Sequence, residues 1–465
     1  MRAIHLQTEY LTEPLGLGIA KPRFYWNAEG GVVQTAYQII CQRGDEIVWD
    51  SGKITSSSMT HIRYAGQPLR SRDLVFWNVQ LWDENDAPGE ISRSRFELGL
   101  LEQSDWCAKW ISGREKEPKN QRCPVDCFRK DFHTDKPIQR ARLYASACGL
   151  YELRLNGQKV GDGVLLPGNT DIRKRIQYQS FDVTSLLAEA NCLTAELADG
   201  WYRGSVGAFG PRNVYGRQTK LLVQLEIVYA DGTMEYILSD ESWDWSNDGP
   251  IRFADLEDGE IVDARMEPDY NGKANLSDTR GLPVPTASDN VLPKTHERFP
   301  AKLIVTPSGQ RVLDFGQNLA GFVAFTVQGK PGRTMKLRLG EVLDEKGEFT
   351  QSNMQEIKPV KEYTRLTEIL FVTGMGKFYR GETQPSPLQE IRFTCSGGID
   401  RYQSKFMIAG FRYALIDTEI DFKPEDFESV AVYSDMEHAG DFRCSHEGIN
   451  QLLRNNRWSM KSNYC

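Results

Sequence analysis

Asp199-Gly200-Trp201-Tyr202-Arg203 places aromatic rings beside a carboxylate and a guanidinium, on a turn that follows a strand-like run. An indole flanked by polar forks suits a pyranose: the ring stacks on the sugar's C–H face while the forks take its hydroxyls. Asn156, in the Asn156-Gly157 turn, could join them. Asn156, Asp199, Trp201 and Arg203 are therefore the candidate carbohydrate-binding residues. The same residues allow a plainer reading, because aromatic side chains more often fill cores than bind ligands. Trp201 would then plug the end of a β-sandwich and Arg203 would pair with a local carboxylate.

Other reactive residue types are present without the spacing that chemistry needs. Asp255 to Arg265 gathers carboxylates around Gly259, which superficially suggests a calcium loop. It lacks the twelve-residue register with a terminal Glu, so a structural turn is the better reading. Cys123 and Cys127 have no second pair to complete a zinc site, and the nine cysteines read as structural or incidental thiols. No metal-binding residue is assigned. Asp314, Glu341 and Asp435 are carboxylates that acid–base chemistry could use, but nothing in their spacing pairs them, and each reads as a turn or surface group. Neither a Gly-x-Ser-x-Gly elbow nor a phosphate-binding Gly-Lys-Ser/Thr loop occurs. No catalytic residue is assigned.

The elements that must position these residues are strands. Ala141 to Ala147, Tyr151 to Leu155 and Leu193 to Leu197 alternate apolar and polar residues and close on Asn-Gly or Asp-Gly turns. Leu221 to Tyr229, Asp231-Gly232 and Thr233 to Leu238 form a hairpin with Val223, Leu225 and Ile227 on one face. Nearer the amino terminus, Ala36 to Cys41, Glu46 to Asp50 and Leu74 to Trp82 are strand candidates, the last with Val75, Trp77, Val79 and Leu81 sharing a face. Arg311 to Phe315, Gly321 to Val327 and Thr334 to Glu341 begin a third β unit. Residues 114–125 read as a polar exposed loop, and 283–300, with four prolines, as a linker. Near the end the period changes. Ser445 is a candidate N-cap, and Ile449, Leu452 and Leu453 fall on one helical face with Arg454 and Arg457 elsewhere.

The order of the sequence words says more than any one of them. GLYELRLNGQKVGD (from Gly149), LLPG-x-T (from Leu165), Tyr178-x-x-Phe181-Asp182-Val183-Thr184 and Asp199-Gly200-Trp201-Tyr202 resemble the jelly-roll module of bacterial α-L-rhamnosidases, glycoside hydrolase family 78. The resemblance continues through LTEPLGL, Lys21-Pro22-Arg23-Phe24-x-Trp26 and Trp82-Asp83-Glu84-Asn85 in the first hundred residues. It extends through DGE-x-x-DAR (Asp258 to Arg265), DFGQN-x-x-G (Asp314 to Gly321), FMIAGFRY (Phe406 to Tyr413) and Tyr433-Ser434-Asp435 further on. It covers nearly the whole chain in the family's order.

The resemblance implies a mainly β fold of tandem sandwiches: a fibronectin- or immunoglobulin-like unit over 1–102 and a jelly-roll, carbohydrate-binding-like domain over 103–282. A second large sandwich follows over 283–436. Residues 437–465 would hold the first helix of an (α/α)6 catalytic barrel, truncated. It also implies an inverting glycosidase, in which one carboxylic acid protonates the leaving oxygen and one carboxylate activates water, roughly 6.5–9.5 Å apart. The family's acidic motif lies beyond the first barrel helix, and no position here matches it. The chain is thus expected to be a non-catalytic amino-terminal portion of an enzyme that releases terminal α-L-rhamnose from a glycoside or polysaccharide. It would be inactive without the missing barrel. A stand-alone carbohydrate-binding sandwich protein is the alternative. Some family jelly rolls bind rhamnose with calcium, which leaves calcium open in this domain and no other cofactor implied.

Composition narrows the partners. At 465 residues the chain is long enough for about three domains, and 40% hydrophobic with 26% charged residues is ordinary for packed domains in water. A net charge of -8 argues against nucleic acid and says nothing against neutral sugars. The first residues carry no apolar core of signal-peptide length, and no run of eighteen apolar residues occurs. A cytoplasmic, membrane-free protein is the expectation.

Overall fold

Every strand predicted in the first hundred residues forms in a computed structural model, which describes residues 1–113, 122–206, 212–289, 291–355 and 387–464. The first sandwich packs a sheet of Leu15–Leu17, Ser92–Leu98, Leu74–Trp82, Ala36–Arg43 and Glu46–Asp50 over a smaller one of Arg2–Thr8, Arg23–Glu29 and Ile62–Arg63. Alternation decides which side chains meet. Val75, Trp77, Val79 and Leu81 are fully buried, while Phe76 between them faces out. The Trp77 ring lies 4.6 Å from that of Phe24, tilted by 48°, within this core.

The jelly roll follows. Ile138–Cys148 lies between Lys220–Tyr229 and Gln177–Asp182 in one sheet, and Ala190–Ala198 lies between Leu150–Leu155 and Asp126–His133 in the other. Leu143, Leu153, Leu193, Val223, Leu225 and Ile227 fill the space between the sheets. The hairpin around Asp231-Gly232 forms as its turn predicts, with Val228 opposite Met234 and Gln224 opposite Leu238. Of the exposed loop expected over 114–125, residues 114–121 lie outside the described residues.

The third unit is a ten-stranded sheet built on one long strand, Arg311–Gln328. Two strands were expected here. They are continuous because the DFGQN word makes a register shift between Asp314 and Leu319 instead of ending the ladder. Two further segments differ from the sequence reading. Residues 293–300 are not a linker: Pro293–Pro300 is the edge strand beside Phe427–Ser434, with its prolines at the two ends, where a missing N–H costs no ladder bond. Ile251–Asp255 and Gly259–Asp263 fall within the jelly-roll bounds expected from sequence and instead extend the third sheet, Gly259–Asp263 running parallel to Glu390–Thr394. Gly259 is required there, since its φ is +112° and a Cβ would sit 1.9 Å from the Glu390 carbonyl oxygen. As a result the largest core runs across the domain boundary, joining Leu150, Val164 and Ala198 to Phe322, Leu337 and Phe427.

The terminal helix is Glu447–Lys461. Its cap is His446, whose ring nitrogen accepts from the Ile449 N–H, not Ser445. The inward stripe also differs from the predicted one. Ile449 and Leu452 are exposed, and the helix seats through Leu453, Arg457, Trp458 and Lys461. Trp458 packs edge-on to Phe299 with ring centroids 5.5 Å apart, and Lys461 reaches Glu297 at 2.5 Å and lies 4.8 Å from the Tyr433 ring. A lone helix of this length is marginal in water, so these contacts hold it. Trp458→Ala is expected to speed amide exchange across the helix by about tenfold, roughly 1.4 kcal/mol, without changing exchange in Lys220–Tyr229. Unchanged exchange in the helix would show that its anchorage lies elsewhere.

Candidate functional site

The turn after Ala190–Ala198 is short helical chain, Gly200–Arg203. Gly200 has φ +50°, and a Cβ there would meet Leu150 Cγ at 2.6 Å, so only glycine lets the strand fold back this tightly. The turn directs its side chains inward. Tyr202 is buried beside Trp110 and Ile176, and Trp201 is half-buried against the core of the third unit. Asp199 and Arg203 are 2% and 4% exposed, and Arg203 Nε donates to Asp199 Oδ1 at 2.7 Å. Arg212 continues the network, donating to Asp199 Oδ2 at 2.6 Å and pairing with Asp255. Burial opposes the Arg212 charge, but Asp255, Asp199 and Asp258 outweigh it and hold its pKa above the ordinary arginine value.

Asn156 does not join this group. Leu155 pairs with Leu193 and Leu150 with Ala198, so Asn156 and Asp199 sit at opposite ends of one strand pair. That separation is about 17–20 Å at ~3.3 Å per residue. The Asn156 amide is engaged locally, donating to the Leu186 carbonyl and Asn191 Oδ1, while its oxygen accepts from the Cys192 N–H. Trp201→Ala is expected to lower unfolding stability by about 2 kcal/mol through lost packing, measured by the urea midpoint. A variant of undiminished stability that has lost a saturable fluorescence response to L-rhamnose would instead give the turn a binding role.

The acidic run joins domains. Asp255 is fully buried and accepts from the Ser205, Glu257 and Asp258 N–H groups, besides its pairing with Arg212. Asp258 pairs with Arg122 at 3.1 Å; burial first, then the Asp255 charge, pushes its pKa above the usual carboxylate value. Glu260, 1% exposed, accepts from Tyr402 Oη at 2.6 Å and from the Lys405 and Phe406 N–H groups at 2.9 and 2.7 Å. Burial raises its pKa too, against the pull of those donors. The carboxylates singled out by type are also engaged. Asp314 holds the Arg412 guanidinium at 2.8 and 2.9 Å, Asp435 holds Lys294 at 2.8 Å, and Glu341 accepts from Asn353 at 2.9 Å.

A cleft of about 470 Å³ lies where the jelly roll meets the third sheet. Its two walls follow from strand alternation. On Leu150–Leu155, Leu153 and Leu155 point into the jelly-roll core, leaving Glu152 and Arg154 on the outer face. On the facing wall Ala324 pairs with Gln403 and Thr326 with Arg401, so these four share the cleft face while Phe325 and Tyr402 stack behind them. Lys405 crosses the base, 2.6 Å from Glu196 and 3.5 Å from Glu152. Burial raises the Glu152 pKa, but Lys405, Lys159 and Arg154 overcome it and hold the carboxyl below its ordinary value. Arg298 closes the outer edge, bonded to Glu428 at 2.9 Å and Gln403 at 2.5 Å. Sequence reasoning missed this cleft. Its residues come from segments with no shared motif, and only the strand periods hinted at which side chains face outward.

Fold and site together define a tandem β-sandwich protein in which one core crosses from the jelly roll into the large sandwich and a polar cleft lies between them. Three family models match it in order: a Rha78A-like N-terminal immunoglobulin domain over residues 3–102, an alpha-L-rhamnosidase N-terminal domain over 136–298 and a bacterial alpha-L-rhamnosidase concanavalin-like domain over 304–433. The chain belongs to the bacterial α-L-rhamnosidase family. An alpha-L-rhamnosidase of Formosa agariphila is 31% identical over 98% of this chain and 50% of its own length; one of an Alteromonas species is 29% identical with the same coverage. Among solved structures, the Dictyoglumus thermophilum enzyme superposes with a TM-score of 0.85 at 30% identity, over 99% of this chain and 52% of that one. The Streptomyces avermitilis enzyme, solved with L-rhamnose, gives 0.86 at 26% identity over 100% of this chain and 60% of that one. The chain thus spans about half the length of the curated relatives it matches.

Proposed function

We propose that this chain forms the β-sandwich portion of an α-L-rhamnosidase, a glycosidase that removes terminal α-L-rhamnose from glycosides or polysaccharides with inversion. In this reading the chain supports and positions a catalytic domain and carries no acid–base pair of its own. The observation that carries it is the state of the carboxylates. A general acid at neutral pH needs a raised pKa and access to the leaving oxygen. The described carboxyl groups raised by burial, Asp258 and Glu260, are 7% and 1% exposed and bonded on the inside. Glu152, which does face a cleft, is held ionised by three cations. The match in order to three rhamnosidase domain models supports the family's activity for the whole protein.

The test is to extend the reading frame past Cys465, express the longer protein and follow an aryl α-L-rhamnoside by proton NMR. β-L-rhamnose as the first sugar released is the expected result. Release of the α anomer, or activity only on other glycosides, would overturn the reading.

A further inference from the structure

We infer that the cleft between the jelly roll and the large sandwich is a binding site for a short neutral saccharide. Its volume of about 470 Å³ lies within the ~300–1,000 Å³ of small-ligand clefts. Domain interfaces are where such clefts concentrate, and this one has its walls on strands that pack into the two adjoining cores. The Lys405 bridge to Glu152 and Glu196 fixes the two walls to each other. Binding therefore requires little rearrangement.

The lining selects the ligand class. Arg154, Lys159, Arg298, Arg401 and Lys405 face Glu152, Asp426 and Glu428, with Glu196 behind Lys405. Arg154, Lys159 and Lys405 all converge on Glu152, and Arg298 pairs with Glu428. Charge is thus nearly balanced, five cations against four carboxylates, which favours neither a metal ion nor a small anion. What remains is a dense alternation of donors and acceptors at the rim, with Gln403 and Thr326 between them, above an apolar base that includes Val160 and Phe322. Paired guanidinium and carboxylate groups match vicinal hydroxyls, which both donate and accept, and the apolar base matches the C–H face of a sugar ring. A polyol ring uses both halves of this surface.

A preference for rhamnose-containing saccharides rests on the function proposed above; the saccharide class rests on the lining alone. The experiment keeps the two apart. The 465-residue chain is titrated by calorimetry and saturation-transfer NMR with L-rhamnose, a rhamnose-containing oligosaccharide, a rhamnose-free neutral oligosaccharide and inorganic phosphate. Saturable binding of a neutral saccharide is expected, with a dissociation constant on the order of 1 mM. Thr326→Trp fills the cleft from an exposed strand position, and the pair Arg401→Ala with Gln403→Ala strips its rim. Each is expected to weaken binding tenfold or more while keeping the native far-UV spectrum. Arg333→Ala, which does not line the cleft, should bind as the parent does. Binding of only the rhamnose-free sugar sustains the cleft and sinks the rhamnose reading. No saturable neutral saccharide to about 50 mM, binding of phosphate alone, or sugar binding that the cleft variants leave untouched overturns the inference.

Discussion

The 465-residue chain is expected to leave an aryl α-L-rhamnoside at the uncatalysed rate, at least about 10⁴-fold below the extended protein. General acid and general base assistance contribute roughly 10²–10⁴-fold each, so a protein that lacks both loses the product of the two. In the function proposed above, no described carboxylate replaces them. The raised ones are buried, and the cleft-facing, largely buried Glu152 is surrounded by Arg154, Lys159 and Lys405, which stabilise its charged form and so weaken it as an acid. The assay is release of the chromophore by purified chain at micromolar concentration. Turnover above background that disappears in Glu152→Gln or in another single carboxylate variant of this chain would reverse the assignment and place chemistry inside the sandwiches.

The second large effect concerns Glu260. Three donors converge on it from Tyr402, Lys405 and Phe406, across 142 to 146 residues of sequence. Glu260→Ala leaves the two buried N–H groups without an acceptor and removes one partner of the tyrosine. At about 1–3 kcal/mol for each unsatisfied group, the loss is roughly 3–5 kcal/mol, measured by denaturant unfolding. Glu260→Gln behaves differently. Its carbonyl oxygen can keep both N–H bonds, and its amide can donate to the tyrosine oxygen. Because burial raises the folded-state pKa of Glu260, its contribution is fully present below the unfolded carboxylate value near 4.3 and is lost as pH rises through the folded value. Glu260→Gln carries no such titration. It is expected to be as stable as the parent or more so at pH 7, and relatively less favoured near pH 4. A Gln variant as damaged as the Ala variant at neutral pH would show that the charge itself, through Lys405, holds the joint.

Much of this architecture is legible from sequence because it is local. Val75, Trp77, Val79 and Leu81 alternate along one strand, and a period of two buries them whatever the strand pairs with. The Asp231-Gly232 hairpin is local in the same sense, its register following from the turn. Misreadings arose where pairing is non-local. Pro293–Pro300 has the composition of a linker, and only its pairing with Phe427–Ser434 makes it an edge strand. Gly259–Asp263 follows the jelly roll in the chain, yet Glu390–Thr394 takes it into the third sheet.

The family was readable because the order of short words along one chain survives without knowledge of contacts. Asn156, Asp199, Trp201 and Arg203 stand out by residue type and turn, which locate a backbone reversal but not the direction of a side chain. Asp199 and Arg203 turn inward because Arg212 and the neighbouring core supply better partners than solvent does. The cleft could not be read at all. Lys405 meets Glu196 across 209 residues, and Arg298 meets Gln403 across 105. Sequence by itself determined the locally patterned strands, their alternating faces and the family. Tertiary structure decided which outer faces meet, because a salt bridge between distant segments leaves no periodic trace in either of them.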